Sequence, residues 1–319
     1  MIRNADTQPG AQPPAPTTST CVSAVRRCAP ATVVLAIAVL TLAACGDSAT
    51  PSDSQGPAAR DTAPAESAST GAMQHIHGLG VRGRTLFIAT HGGLWAAESG
   101  QIEPERVGQS QQDVMGFSVL RNGRFIGSGH PHPSQQDLPP NLGLIESRDR
   151  GTTWKNISLL GEVDFHVLES SGSRIYGFDG TQERLMVSSD NGRSWQRRTP
   201  PAGIFALAVD PASRDRVVAS TGRGVFTSPD AGRSWRLLDP RLAGLLAWPR
   251  ARELYLVDGE GQPQLSRDRG RTWKTTGSSI GGQPAAFIAA GADLYAALED
   301  ATVKRSTDGA RSWAVRAAP

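Results

Sequence analysis

The eight residues Ser188-Ser-Asp190-Asn-Gly192-Arg-Ser194-Trp195 form a pattern that the chain contains five times. Each copy, called a Ser-Asp turn below, has a serine, an aspartate two residues later and a final Ser/Thr-Trp pair. The five aspartates are Asp149, Asp190, Asp230, Asp268 and Asp308. Successive aspartates are 38 to 41 residues apart, which is a spacing typical of the four-stranded blades of β-propellers.

The residues of the pattern predict a hairpin turn. We expect the Asp side chain to accept backbone N–H groups, the Gly to supply a positive φ, and the Trp to pack between neighbouring sheets. In the last copy Gly309 precedes Ala310 at the position where the other copies have Gly, which predicts an altered turn. The pattern resembles the Asp-box repeat of bacterial neuraminidases, and that resemblance implies a propeller.

Aligned on the Ser-Asp turns, the chain from residue 74 divides into six units of short apolar runs separated by Gly, Pro, Asp and Asn. The clearest unit has runs at 204–209, 216–220, 224–228 and 235–238. The first unit opens at His75 and lacks a Ser-Asp turn. We therefore predict an all-β, six-bladed β-propeller over residues 74–319, with seven blades as the alternative. Closing the ring would remove exposed sheet edges.

The N-terminal region has the features of an export signal. Arg26 and Arg27 precede an apolar run at 29–44 that ends in Leu42-Ala43-Ala44-Cys45. A basic segment, a short apolar run and small residues predict a signal peptide over residues 1–44. A membrane-spanning helix is the alternative, but it usually needs about 20 apolar residues. The ending resembles the bacterial lipobox, which implies cleavage before Cys45 and lipidation of its thiol.

Residues 45–73 contain Cys45 and then mostly Ala, Ser, Pro, Thr and Gly, which predicts a disordered tether. The expected location is the bacterial cell envelope, outside the cytoplasm, with the lipid on Cys45 holding the chain to a membrane. Loss of the signal removes three of the 33 basic and one of the 30 acidic residues. The remaining charge is nearly balanced, so nucleic acid is not an expected partner, and we expect a monomer.

All six histidines lie between residues 75 and 166, in the first three units. The alignment places His77, Met115 and His166 at one position of the first strand of units one, two and three. Residues His75, Asp113 and Asp164 stand two positions earlier, on the same side of their strands. The aligned residues of the last three units are Phe205, Gly244 and Ala286.

The other histidines follow the second strand of a unit. They are His91, His130 and His132, and the alignment gives Asp179 the matching place in unit three. In an antiparallel sheet the first strand begins where the second strand ends. We therefore expect these side chains to share one sector of one propeller face, with the Ser-Asp turns on the opposite face.

Imidazole, thioether and carboxylate groups together suit a transition metal ion, with copper or zinc as the expected cofactor. A small ligand is the other possibility for this face. The alternative is structural, with each imidazole forming hydrogen bonds that stiffen the ring. The candidate metal or ligand residues are His75, His77, His91, Met115, His130, His132 and His166.

The motifs His75-Ile-His77-Gly-Leu, Thr90-His91-Gly-Gly and Gly129-His130-Pro-His132-Pro resemble those of bacterial secreted or lipid-anchored Asp-box proteins that are labelled glycosyl hydrolase or sialidase-like. That resemblance implies a glycan substrate and a glycoside hydrolase, if the protein is an enzyme. Sialidases use a Tyr–Glu pair, whereas the three tyrosines here fall in second-strand patterns and are predicted to be buried. The candidate catalytic carboxylates for another glycosidase mechanism are Asp113, Asp164 and Asp179.

A second resemblance concerns the Asp-box assembly factors that chaperone photosynthetic complexes. It rests on the propeller repeat and does not include the histidine motifs. It implies a third class of function, a scaffold that binds a protein partner.

Overall fold

The apolar runs of the chain form strands, and the Gly, Asp and Asn residues between them form turns. The computed structural model describes Met73 and residues 75–319, where every regular element is a β-strand. The 24 strands make six antiparallel sheets of four consecutive strands each. Within this part of the chain no helix could cross a membrane. The predicted signal peptide, Cys45 and all of the predicted tether except Met73 lie outside the described residues.

The first three sheets, blades 1 to 3, contain strands β1 to β12. Blade 1 has β1 to β4, which are Ile76–Arg82, Thr85–Thr90, Gly93–Ala97 and Glu105–Arg106. Blade 2 has β5 to β8, which are Asp113–Val119, Phe125–His130, Leu144–Ser147 and Lys155–Ser158. Blade 3 has β9 to β12, which are Phe165–Ser171, Arg174–Asp179, Arg184–Ser188 and Gln196–Arg198.

The last three sheets, blades 4 to 6, contain strands β13 to β24. Blade 4 has β13 to β16, which are Ile204–Asp210, Ser213–Thr221, Gly224–Ser228 and Arg236–Asp239. Blade 5 has β17 to β20, which are Leu245–Arg250, Glu253–Val257, Pro263–Ser266 and Lys274–Thr275. Blade 6 has β21 to β24, which are Pro284–Ala290, Asp293–Leu298, Val303–Ser306 and Ala314–Ala317.

The first strands of the blades form a closed inner ring. Strand β1 contacts β5, and the contacts continue in order through β9, β13, β17 and β21. Strand β21 in turn contacts β1, so the sixth blade completes the ring. The predicted all-β propeller with six blades is confirmed, and the seven-bladed alternative is wrong.

Hydrophobic clusters fill the spaces between neighbouring blades. Phe87 of blade 1 and Phe125 of blade 2, for example, meet edge to face with ring centroids 4.7 Å apart. Burying one such side chain contributes about 1.5–3 kcal/mol. The tryptophan of each Ser-Asp turn packs against one inter-blade cluster, as predicted, and these residues are Trp154, Trp195, Trp235, Trp273 and Trp313.

Side-chain hydrogen bonds fix the shape of every Ser-Asp turn. The Ser188 hydroxyl donates to Asp190 Oδ1 at 2.8 Å and accepts the Gly192 N–H at 2.9 Å. The Asp190 carboxylate also accepts the backbone N–H of Ser194 at 2.9 Å and its hydroxyl at 2.6 Å. Equivalent bonds fix the other four turns.

The last Ser-Asp turn keeps this geometry, so the predicted alteration is wrong. Ala310 adopts a φ of 65° and its N–H still donates to the Ser306 hydroxyl at 2.9 Å. Two successive residues have positive φ in every Ser-Asp turn, and in this copy Gly309 occupies the first of them with a φ of 75°. One of the two residues with positive φ is therefore still a glycine, although Gly and Ala have exchanged places, and the turn keeps its shape.

Strand β24 fastens the last blade to the first. The Arg316 guanidinium donates to the carbonyls of Ala97 at 2.8 Å, Glu98 at 3.1 Å and Gln101 at 3.1 Å. The backbone N–H of Ala318 donates to the Ile102 carbonyl at 3.0 Å. Side-chain and backbone bonds thus join the outer parts of blades 6 and 1, where the ring closes.

Candidate functional site

A β-bulge in the first strand directs one side chain toward the ring axis. Strand pairing in blades 1 to 3 skips His77, Met115 and His166, which have no partner in the second strand. Bulges re-aim side chains in this way near functional sites. All three residues line one cavity of about 240 Å³ at the centre of the ring. The structure therefore brings together the three residues that the sequence aligned.

The opposite side of this cavity is formed by blades 4 to 6 and is apolar. In two of these blades the residue that faces the cavity differs from the one that the sequence alignment predicted. Blades 4 and 6 have the same bulge, and its residues are Phe205 and Ala285. Strand β17 of blade 5 pairs without a bulge there and contributes Leu245 to the cavity. The predicted equivalents Gly244 and Ala286 are each wrong by one residue, because the segment between the last strand of one blade and the first strand of the next differs in length among the blades.

The first cluster of polar groups joins blades 1 and 2. One ring nitrogen of His77, one of His91 and one carboxylate oxygen of Asp113 lie within 4.8 Å of one another. His91 Nδ1 is 2.6 Å from Asp113 Oδ2, and His77 Nε2 is 3.8 Å from Asp113 Oδ1. Two imidazoles and one carboxylate are a common set of protein ligands for a divalent metal ion.

Electrostatics favour a neutral His77 in this cluster. Burial and the nearby His91 imidazole together lower the pKa of His77 to about 4, although the Asp113 carboxylate opposes them. A neutral imidazole has a lone pair available for a metal ion near neutral pH. Among the described residues, the buried atoms His77 Nε2 and Asp113 Oδ1 have no hydrogen-bond partner.

The second cluster joins blades 2 and 3. His166 Nε2 is 2.7 Å and His130 Nε2 is 3.3 Å from the same oxygen, Asp164 Oδ2. Asp164 is only 2% exposed. The hydrogen bond to Asp164 raises the pKa of His166 above its usual range. Two of the three carboxylates suggested for glycoside hydrolysis, Asp113 and Asp164, are thus in contact with imidazoles.

The remaining candidate residues have other surroundings. The exposed His75 ring lies 5.1 Å from the His91 ring, at the edge of the first cluster. His132 Nδ1 is 2.8 Å from the Ser134 hydroxyl within its own loop. Asp179 is fully buried and accepts a hydrogen bond from Arg184 at 2.9 Å.

Strand register explains the position of Asp179. Pairing aligns it with Thr90 and Gly129, one residue before His91 and His130. The residue of blade 3 that matches those histidines is therefore Gly180. A Cβ atom at Gly180 would lie 2.7 Å from the His166 ring, so the glycine provides the space that this imidazole occupies. Sequence reasoning missed Gly180, and its only signal was the alignment of second strands.

The sialidase interpretation loses its tyrosine candidates in the structure. Tyr176, Tyr255 and Tyr295 are 0%, 4% and 6% exposed and belong to inter-blade clusters, which confirms their predicted burial. A catalytic tyrosine must contact the substrate. These three side chains instead serve the packing of the blades.

Comparisons with known proteins identify the fold. Neither known protein families nor curated proteins match the sequence. The chain is similar to the WD40 β-propeller domain of Doa1, with a TM-score of 0.56, 11% identity and coverage of 77% of this chain and 83% of that one. It is similar to a chain of the nidogen/laminin complex, with a TM-score of 0.53, 14% identity and coverage of 69% and 88%.

An enzyme is also among the similar structures. An ancestral GH74 enzyme has a TM-score of 0.52 and 11% identity, with coverage of 73% of this chain and 36% of the enzyme. At such identities the similarity extends to the fold alone, since propellers support many unrelated functions. Fold and comparisons together define the class of this protein as a six-bladed β-propeller.

Proposed function

We propose that this protein is a lipid-anchored, extracytoplasmic β-propeller that binds a divalent transition metal ion through His77, His91 and Asp113. One observation carries the metal proposal. His77 Nε2 and Asp113 Oδ1 are buried, lack hydrogen-bond partners among the described residues and lie 3.8 Å apart. That separation is too long for a hydrogen bond, and buried polar atoms without partners often indicate a missing ion or water.

The ligand set favours zinc, with copper as the second metal to test. Zinc sites that bind a further ligand commonly use three protein groups drawn from His and carboxylate side chains. Copper binds more tightly than zinc to most nitrogen and oxygen sites. An ion bound here retains coordination positions for water or a small molecule entering from the central cavity.

The location and the anchor rest on the sequence. Leu42-Ala43-Ala44-Cys45 supports lipidation, and the preceding basic and apolar segments support export. Mass spectrometry of the membrane-extracted protein tests both. We expect an N-terminal peptide that begins at diacylated Cys45, and an unmodified peptide from residues 1–44 would contradict the anchor.

Metal analysis of the purified protein, prepared without a histidine tag, tests the function. After exposure to zinc or copper and removal of free ion, we expect metal to remain bound. Because His77→Ala removes a ligand, it should weaken binding by more than the ~10–100-fold loss typical of outer-shell partners. His132→Ala is the matched control, since that imidazole bonds within its own loop. A parent protein that retains neither metal would refute the proposal.

A further inference from the structure

We propose that a cavity between blades 4 and 5 binds the phosphate group of a small molecule or of a lipid headgroup. The cavity has a volume of about 320 Å³ and is lined by four arginines, which are Arg216 and Arg236 of blade 4 and Arg269 and Arg271 from the Ser-Asp turn of blade 5. It lies near the start of a second strand, β14, whereas His91 and His130 lie at the ends of second strands. The cavity is therefore a separate site, and it goes beyond the proposed metal function.

Among the described residues, one carboxylate contacts these arginines. Asp210 Oδ2 lies 3.1 Å from Arg216 Nη1 and 3.3 Å from Arg269 Nε, and the Asp210 side chain is fully buried. No aspartate or glutamate of the described chain lines the cavity itself. Four guanidinium groups and one carboxylate leave a net charge of +3, and like charges at short range repel one another. A bound anion would relieve this repulsion.

The other two arginines have no protein partner. The side chains of Arg236 and Arg271 are exposed, and neither forms a hydrogen bond or an ion pair within the part of the chain that the structure describes. A guanidinium group presents five N–H donors and keeps its charge near neutral pH. Both groups are therefore available to an anion that enters the cavity from solvent.

The equivalent arginine of blade 2 has a carboxylate partner on the third strand of its blade. Arg124 and Arg216 occupy the same position, directly before the second-strand residue that pairs with the serine of the Ser-Asp turn. Arg124 forms an ion pair with Glu146. Strand pairing places Thr227 of blade 4 at the position of Glu146, so the third strand of blade 4 offers no carboxylate to Arg216.

The Ser-Asp turn of blade 5 differs from that of blade 2 in the same way. Arg150 and Arg269 each follow the aspartate of their turn and contact the preceding blade. Arg150 Nη2 lies 3.0 Å from Glu98 Oε1. Glu98 directly follows the third strand of blade 1, and Pro229 directly follows the third strand of blade 4. Uncharged residues thus replace two carboxylates of other blades, while the arginines remain.

Phosphate is the anion that this arrangement fits best. The planar guanidinium group binds phosphate oxygens in pairs and is only weakly hydrated. A phosphate monoester carries nearly two negative charges near neutral pH, which matches the surplus of positive charge better than one carboxylate does. The cavity also has room for the organic part of an ester, and the Trp235 indole provides an apolar wall for it.

Isothermal titration calorimetry of the purified, tag-free and metal-free protein tests the site, with glycerol 3-phosphate as the probe. The double variant Arg236→Gln/Arg271→Gln should bind this compound at least about tenfold more weakly, the ratio that corresponds to one lost charge-assisted hydrogen bond. Both arginines are exposed, so the variant should fold. Lys155→Gln/Arg193→Gln is the matched control and should bind like the parent, because it removes two exposed cations at the equivalent positions between blades 2 and 3.

A second probe, glycerophosphoglycerol, distinguishes the two sources of phosphate, since it is the soluble form of a lipid headgroup. Tighter binding of glycerol 3-phosphate would assign the site to free phosphate esters, and tighter binding of glycerophosphoglycerol would assign it to a membrane lipid. A parent protein that binds neither compound would overturn the inference. Binding that survives in Arg236→Gln/Arg271→Gln, or that falls equally in the control, would also overturn it, because the charges of this cavity would then not be responsible.

Discussion

In each Ser-Asp turn, one carboxylate organises the backbone that follows it. Asp149 accepts the hydroxyl and the backbone N–H of Thr153, at 2.6 and 2.9 Å, and the Ser147 hydroxyl at 2.8 Å. The Thr153 hydrogen bonds, together with that from Ser147, lower the pKa of Asp149 to about 2. The carboxylate is stabilised because all of these groups donate to its charged form. The acidic residue of the repeat is therefore a structural group.

Acid should weaken the fold through these carboxylates. A folded-state pKa below the unfolded value stabilises the protein fully above about pH 4 and loses this contribution as the pH falls through 2. Asp149→Asn removes the charge, so stability at pH 7 should fall and should then depend less on pH between 4 and 2. Urea unfolding across this range measures both effects. Asp137→Asn, at an exposed loop position, is the control and should unfold like the parent at every pH. Identical dependence of stability on pH in Asp149→Asn and the parent would contradict the account.

The sequence predicted which side chains share the histidine face, because a repeat of constant length aligns equivalent residues of successive blades. His77, Met115 and His166 line one cavity as the alignment indicated. Asp179 was placed one position from its true match because second strands vary in where they end. Adjacent residues of a strand point to opposite sides. The Asp179 carboxylate therefore bonds Arg184 instead of joining the histidines, as the alignment had predicted.

At the scale of the strand, the β-bulge decides which residues face the axis. Sequence periodicity could not reveal it, because a bulge adds one residue without a change in composition. Blade 5 pairs directly through Leu245 and Leu246, whereas blade 6 skips Ala285. Blade 6 thus has the same bulge as blades 1 to 4, and the alignment was one residue out in both blades because the segments that precede the first strands differ in length. Bulges thus position the candidate ligands, and only the backbone shows them.

The outermost strand of blade 6 provides a test of ring closure. Arg316→Ala removes a charged donor from four carbonyls of blade 1 and should lower the free energy of unfolding by about 1.5–3 kcal/mol, the range for hydrogen bonds to charged groups. Chemical denaturation measures this loss. Arg311→Ala changes an exposed arginine in the same blade and should stay within about 0.5 kcal/mol of the parent. Equal stabilities for the two variants would show that Arg316 does not secure the closure.

At the scale of the whole molecule, the spacing of the Ser-Asp turns was sufficient to predict the propeller. Each repeat forms one sheet, and a closed ring follows because every sheet must bury both faces against its neighbours. Blade 1 has no Ser-Asp turn, yet it was recognised from its apolar runs and forms strands Ile76–Arg82 to Glu105–Arg106. Metal binding and lipidation remain predictions, since a fold supports many functions.

Anomalous diffraction from crystals grown with zinc tests the central claim most directly, because it locates the ion independently of activity. The account predicts a peak between blades 1 and 2, at about 2.0–2.2 Å from His77 Nε2, a ring nitrogen of His91 and an Asp113 oxygen. The His77→Ala crystal should lack that peak. Zinc found only at exposed groups such as His132, or no peak at all in the parent, would contradict the proposed metal site.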